Sequence, residues 1–266
     1  MNSKTLTFWD HLDELRKVLF RMIIVLVLFA IVAFFFKEVL FGFVFAPNSS
    51  DFITYQLMGA LADRLSLPSL KPGDFQVELI STQLTSQFLV HIRVTIYAAL
   101  LCASPYIIYL LFRFVSPALY ANEKKYSRNV IFFAFIFFFL GAALSYYIIF
   151  PFSFRFLSSY QVTAEVANMF TINSYIDTFM MITVLMGILF EIPVVAWLFA
   201  KLGFLSADFL KKYRKHALVV ILVVAAIITP TTDIITLLLV SLPIELLYEA
   251  SILIVKRVER KRALTN

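Results

Sequence analysis

The chain has 266 residues, of which 61% are apolar and 17% aromatic, and its mean hydropathy is +0.89. Apolar runs as long as those found here cannot be hidden in a soluble core of this size, so the composition excludes a soluble globular protein. It predicts a membrane protein built of helices, which satisfy their own backbone polar groups. The net charge of +6 is spread over several connectors, which argues against a nucleic-acid partner.

Six apolar runs predict an all-α integral membrane protein with a single membrane domain, residues 1–266. A spanning helix needs roughly 20 apolar residues. The fifth run falls short of that before Pro230, so the last two runs predict a tight hairpin of two short spans, which implies either a locally thinned bilayer or burial against neighbouring helices. The predicted spans are residues 18–36, 88–112, 129–154, 175–200, 217–229 and 234–255.

The basic residues predict which side each connector faces. Most of the 23 Lys and Arg residues lie in the N-terminal segment, in the connectors after the second and fourth spans, and in the C-terminal tail. Positively charged connectors stay in the cytoplasm, so both termini are expected there. The longest connector, residues 37–86, then forms an outer cap with one or two short helices.

The chain offers little for metal or catalytic chemistry. Its one cysteine, Cys102, allows no intramolecular disulfide. Its three histidines, His11, His91 and His216, are scattered along the chain, so neither a metal site nor a catalytic triad is predicted. We therefore expect no cofactor and no enzymatic activity.

Two acidic residues are expected on the cytoplasmic side. Glu14 lies in the motif His-Leu-Asp-Glu-Leu-Arg before the first span, and Glu123 is the acid of a basic connector. Two carboxylates on one face could bind a pair of guanidinium groups through bidentate hydrogen bonds. The alternatives are that the Glu14 helix only rests on lipid head groups, and that Glu123 only pairs with Lys124 or Arg128 at the surface.

Two further acids belong to the apolar part of the chain. Glu191 lies deep in the fourth span, where a carboxylate is costly, so it is a candidate functional residue. Pro193 frees backbone carbonyls nearby, although Glu191 could also simply join two helices by a hydrogen bond. Asp233 lies at the outer turn of the hairpin, where it could cap the sixth span.

Taken together, these motifs resemble those of the TatC family of twin-arginine translocase subunits, over nearly the whole chain. The motifs are His-Leu-Asp-Glu-Leu-Arg at 11–16, Phe-Val-Ser-Pro-Ala-Leu-Tyr at 114–120 with Glu123, residues 141–146 followed by Phe150-Pro151, Phe-Glu-Ile-Pro at 190–193, and Thr229-Pro230 with Asp233.

The resemblance implies the receptor core of a bacterial inner-membrane machine that exports folded proteins, driven by the proton-motive force. Its partners would be twin-arginine signal peptides, small single-span subunits of the TatA and TatB type, further copies of itself, and membrane lipid. The family's arrangement, a concave cup-like bundle, assigns contact with the arginine pair to Glu14 and Glu123, with Arg16 and Phe114 shaping the site. Glu191 would be a polar intramembrane residue for the signal helix or partner helices. Structural or assembly roles fall to Pro47, Pro117, Tyr146, Pro193 and Asp233.

The chain departs from the family pattern in two places that concern the site. After Glu123 it has Lys124 and Lys125, where the family's basic pair often includes Arg, so the charge is kept but the guanidinium geometry is lost. Val18 stands where a basic residue often follows Arg16, and Lys17 or Arg21 is a candidate to replace that contact. An alternative function is a proton-coupled small-molecule transporter with Glu191 as its proton relay.

Overall fold

A computed structural model describes residues 8–66, 77–115, 127–161, 163, 168–229 and 234–263. The described residues are mostly helical. The helices are α1 Phe8–Phe35, α2 Lys37–Phe45, α3 Ile53–Arg64, α4 Ser86–Val115, α5 Ser127–Leu144, α6 Phe150–Ser159, α7 Ile172–Leu189, α8 Ile192–Leu202, α9 Ala207–Lys212, α10 Arg214–Ile228 and α11 Ile234–Ala263.

Within the described residues, five helical segments are long and apolar enough to cross a membrane. They are His11–Phe35, Ser86–Phe114, Val130–Ser159, Ile172–Leu202 and Thr236–Arg262. The segment in α10 is apolar too, but its 15 residues extend only about 22 Å, less than the roughly 30 Å of a bilayer core. Helix α11 begins at the predicted start of the sixth span and continues beyond residue 255 into the charged tail, for 30 residues in all.

Helices α1 and α4 pack side by side in opposite directions. At one end His11 of α1 stacks on Phe114 of α4, and at the other end Phe34 of α1 stacks on His91 of α4. Their ring centroids are 4.4 and 4.3 Å apart, respectively. These two contacts fix the register of α1, whose other faces are exposed along most of its length.

Two glycines let α5 and α7 approach closely. A Cβ atom on Gly141 would lie 2.5 Å from the carbonyl oxygen of Met186, and one on Gly187 would lie 2.8 Å from the ring of Phe138. Beyond Gly141 a π-helical turn, Ser145–Ile149, links α5 to α6. The residue that follows it, Phe150, is fully buried in the aromatic core between these helices and α7.

The segment after α1 is tied to the bundle by tyrosine hydroxyls. It comprises α2, the 3-10 turn Ala46–Asn48 and α3. Tyr146 donates a hydrogen bond to the carbonyl of Phe43 at 2.9 Å, and Tyr175 donates one to Val44 at 2.8 Å. The end of α2 is thus held by α7 and by the π-helical turn.

A short parallel β pair joins the two connectors on this side. β1, Leu79–Ile80, pairs with β2, Phe170–Thr171, so that Leu79 opposes Phe170. The expectation of a purely helical protein did not include this pair, because two dipeptides some ninety residues apart give no periodic signal in the sequence.

Helices α8 and α11 pack through small side chains. Ala196 and Ala200 of α8 meet Val255 and Val258 of α11 in one buried cluster. α8 ends at Gly203, whose φ of +82° is the left-handed conformation that glycine adopts readily.

Candidate functional site

The start of α1 lies against the end of α4. His11 stacks on Phe114 with an interplanar angle of 21°. Glu14 follows His11 by three residues, so both lie on one side of α1, and Glu14 is half-buried there. Val18, one turn further along the same side, is buried. The fold therefore brings Glu14 and Phe114 to the same end of the bundle.

Arg16 lies on a different side of α1. With Asp13, Lys17, Phe20 and Arg21 it lines an open depression of about 480 Å³. The guanidinium carbon of Arg16 is 5.7 Å from the ring centre of Phe20, a distance at which a cation interacts with an aromatic face. Arg16 is thus next to both candidate substitutes for the missing basic residue, whereas Val18 points into the protein.

Three of the candidate site residues cannot be compared with the structure. Glu123 and Pro117 lie in the segment between α4 and α5, and Asp233 lies in the segment between α10 and α11. All three are outside the described residues.

Glu191 lies at the junction of α7 and α8. Its backbone carbonyl accepts hydrogen bonds from the amides of Val194 and Val195, at 3.0 and 2.9 Å, and the buried Pro193 is in the first turn of α8. The predicted span 175–200 is therefore two helices that meet at this carboxylate. Oε1 of Glu191 is buried and has no hydrogen-bond partner among the described residues, so the group is available to a ligand or a partner helix.

Glu245, in the apolar part of α11, resembles Glu191. Oε2 of Glu245 is also buried without a hydrogen-bond partner in the described part of the chain. One turn later, Glu249 pairs with Arg214, with Oε2 and Nη2 2.5 Å apart. The sequence already contained a signal for this face, because Glu245 and Glu249 are four residues apart on one helix.

Tyr146 and Pro47 hold the α2–α3 segment in place. The ring of Tyr146 stacks on Phe43 with centroids 4.0 Å apart, in addition to its hydrogen bond. Pro47 is buried, and its carbonyl accepts a hydrogen bond from the hydroxyl of Tyr55 at 3.3 Å. Tyr146 thus joins this segment to the rest of the protein, and Pro47 joins two parts of the segment itself, the 3-10 turn and α3.

Sequence reasoning missed Tyr55. Its one hydroxyl proton is shared between the carbonyls of Pro151, at 3.0 Å, and Pro47, at 3.3 Å, so one side chain connects α3, the 3-10 turn and α6. Burial raises the pKa of the Tyr55 phenol well above its usual value, and the nearby Arg155 lowers it by less. A tyrosine in the apolar stretch of a connector was the available signal, because a buried phenol needs a hydrogen-bond partner.

The described residues contain no group of three or more His, Cys, Asp or Glu side chains placed to hold a metal ion. What the structure offers instead is a polar end of the bundle at α1 and α4, and two carboxylates in its apolar interior.

Comparison with known proteins gives one consistent family. The model of the family "Sec-independent protein translocase protein (TatC)" matches residues 10–243. Among curated proteins, TatC of Blattabacterium sp. subsp. Periplaneta americana is 34% identical over 259 residues, which are 96% of this chain and 97% of that protein. TatC of Halalkalibacterium halodurans is 34% identical over 252 residues, 95% of this chain and 90% of that protein.

Solved structures give the same family. The crystal structure of a twin-arginine translocase receptor, TatC, superposes with a TM-score of 0.69 at 30% identity, covering 94% of this chain and 99% of that one. A second crystal structure of such a receptor, in DDM, gives a TM-score of 0.73 at 30% identity, covering 91% of this chain and 98% of that one. The similarity therefore extends over the fold as well as the sequence.

Proposed function

This chain belongs to the TatC family of Sec-independent protein translocase proteins, and from that membership we propose that it is the receptor core of a twin-arginine translocase. In this role it binds the twin-arginine signal peptides of folded proteins. It assembles with single-span subunits of the TatA and TatB type, and with other copies of itself, for export driven by the proton-motive force. The chain is a membrane-bound transport component and not an enzyme.

The proposed topology has six spans in one membrane domain, with both termini in the cytoplasm of a bacterium and a concave, cup-like bundle. α10 is the short fifth span, and its length requires a locally thinner bilayer or burial against neighbours. The basic C-terminal part of α11, with Lys256, Arg257 and Arg260, supports a cytoplasmic C-terminus. The α2–α3 segment is then part of the outer cap.

The observation that carries the proposed receptor site is the stack of His11 on Phe114. It brings the side of α1 that bears Glu14 to the end of α4, from which the connector bearing Glu123 continues. We assign the two carboxylates to the two arginines, because a planar guanidinium forms two parallel hydrogen bonds with a carboxylate. A lysine ammonium cannot do so, which would explain a preference for arginine.

Around these two acids, Phe114 provides an apolar wall and Arg16 shapes the rim. Lys17 and Arg21 lie beside Arg16 and supply the basic contact that Val18 cannot. Glu191 is the intramembrane polar residue for a signal helix or partner helix, and Pro193 shapes its junction. Structural or assembly roles are assigned to Pro47, Tyr146, Pro117 and Asp233, of which the first two contact the α2–α3 segment.

The alternative, a proton-coupled small-molecule transporter, finds no support. The family model and the named relatives are protein translocase proteins.

The test is a titration of the purified protein in nanodiscs with a signal peptide carrying Arg-Arg, beside an otherwise identical Lys-Lys peptide. We expect Arg-Arg to bind more tightly, and both Glu14→Ala and Glu123→Ala to remove that preference. Asp13→Ala is the matched control, because it removes an equal charge from an exposed neighbouring position on another side of α1. Equal affinities for both peptides in the unaltered protein would contradict the receptor function. A preference that survives in both variants would contradict the site.

A further inference from the structure

Helix α3 has an apolar row that the described protein leaves more than half exposed. Ile53, Leu57 and Leu61 follow each other at intervals of four residues, so they lie on one side of the helix. They are 51%, 59% and 56% exposed, and Leu65, directly after the helix, is 60% exposed. Apolar side chains gain free energy when they leave water, so leaving this row in water is unfavourable.

The other two sides of α3 have different surroundings. Tyr55 and Ala62 are buried against the protein, at 2% and 1% exposure. Gln56 and Asp63 are exposed and share a third side, about 100° around the helix from the apolar row. One side facing protein, one polar and one apolar is the pattern of a helix that lies at the boundary between water and lipid.

The position of α3 along the membrane normal also agrees with a helix at the boundary between water and lipid. The hydroxyl of Thr54 donates a hydrogen bond to the carbonyl of Tyr147, and Phe52 stacks on Tyr147 with ring centroids 6.0 Å apart. Tyr147 lies in the apolar segment Val130–Ser159, about 26 Å along the helix from Val130, in a bilayer core of roughly 30 Å. The start of α3 is therefore near the edge of the hydrocarbon.

The surface next to this attachment is apolar as well. Tyr147 and Ile148 are 45% and 39% exposed in a segment long and apolar enough to cross the membrane, so they face lipid. The two neighbours of Ile53 in the chain, Phe52 and Thr54, both contact Tyr147, so the row of α3 begins close to this lipid-facing surface.

We propose that α3 is an interfacial helix, and that Ile53, Leu57 and Leu61 insert into the acyl-chain boundary of the leaflet opposite the N-terminus of α1. Only the name of that leaflet, the outer one, depends on the proposed orientation. Tyr55 fastens α3 rigidly to Pro47 and Pro151, so the lipid contact also anchors the outer cap to the bilayer. The basic Arg64, at the end of α3, reaches the head groups by extending its side chain.

The test places an environment-sensitive fluorophore on single cysteines in a Cys102→Ala background, with one chain per lipid nanodisc. Leu57→Cys reports the apolar row, and Gln56→Cys is the control on the polar side of the same helix. Phospholipids with a spin label on the acyl chain are then included as quenchers. We expect blue-shifted emission and strong quenching for Leu57→Cys, and water-like emission with little quenching for Gln56→Cys.

Two results would overturn the proposal. Water-like emission at position 57 would mean that the row is not in lipid. Blue-shifted emission without quenching, with disulfide-linked dimers of Leu57→Cys at higher chain density, would mean that a second copy covers it. Leu61→Cys repeats the measurement one turn further on, so the outcome does not depend on one variant folding.

Discussion

Arg214, the first residue of α10, forms an ion pair with Glu249 of α11, with Nη2 and Oε2 2.5 Å apart. The pair lies at the end of the hairpin remote from the connector that joins the two helices. It therefore fixes the open end of a short helix that makes few other polar contacts in the described structure. Both side chains remain partly exposed, at 50% and 40%.

We expect Arg214→Ala to lower the free energy of unfolding by about 1 kcal/mol, the upper range for a partly exposed pair. Glu249→Ala should cost a similar amount, and the double variant should cost less than the sum of the two. Thermal unfolding of the four proteins in detergent measures this coupling. Strictly additive losses would show that the pair does not stabilise the hairpin.

The close contact of α5 with α7 predicts a large effect for a small change. Gly141→Ala places a methyl group 2.5 Å from the carbonyl oxygen of Met186, and backbone must move to relieve the clash. We expect destabilisation by about 1–3 kcal/mol, measured by thermal unfolding. Gly42→Ala in α2 is the control, because nothing lies within 4 Å of its new Cβ atom. That variant should be neutral or slightly stabilising.

Tyr55 predicts a dependence of stability on alkaline pH. Burial raises the pKa of its phenol, so the folded protein holds this proton more tightly than the unfolded chain, where the phenol ionises near pH 10. The stabilisation is therefore complete below about pH 10 and is lost as the pH rises toward the folded-state pKa. Tyr55→Phe should be less stable than the unaltered protein at neutral pH, because it leaves two carbonyls without their donor.

The measurement for Tyr55 is urea unfolding at several pH values between 8 and about 11, a range that spans the usual tyrosine pKa. The difference between the unaltered protein and Tyr55→Phe should shrink above about pH 10. Tyr160→Phe is the control, because it removes a phenol that is 61% exposed instead of buried. If the difference in stability between Tyr55→Phe and the unaltered protein does not change with pH, the raised pKa of Tyr55 is contradicted.

The sequence predicted local features of the structure better than features that depend on residues far apart in the chain. Long apolar runs are local, so the sequence predicted a mostly helical membrane protein of this family correctly. The pairing of Leu79 with Phe170 joins residues far apart in the chain, and no sequence pattern predicts it. A buried tyrosine indicates that some hydrogen-bond partner exists, but not that the partner of Tyr55 is Pro151, 96 residues away. Both contacts follow from the packing of the bundle.

Two local signals were read incompletely. Pro193 favours the start of a new helix, and the helix of the predicted span 175–200 is interrupted at Glu191, although Ile172–Leu202 is still one segment long and apolar enough to cross a membrane. The tail after residue 255 is charged, but Lys, Arg and Glu are good helix formers, so α11 continues to Ala263. Loss of hydrophobicity marks the end of a membrane span, not the end of the helix.

Glu191 predicts a separation of stability from function. Its Oε1 is buried without a partner in the described structure, so the carboxyl group destabilises the fold unless a ligand supplies a hydrogen bond. We expect Glu191→Leu to unfold at the same or a higher temperature than the unaltered protein, while export of a twin-arginine cargo into inverted membrane vesicles falls strongly. Glu245→Leu is the matched control, because it removes a similarly buried carboxylate from α11 and should leave export intact. A parallel loss of stability and export in Glu191→Leu would assign Glu191 to the structure of the bundle instead.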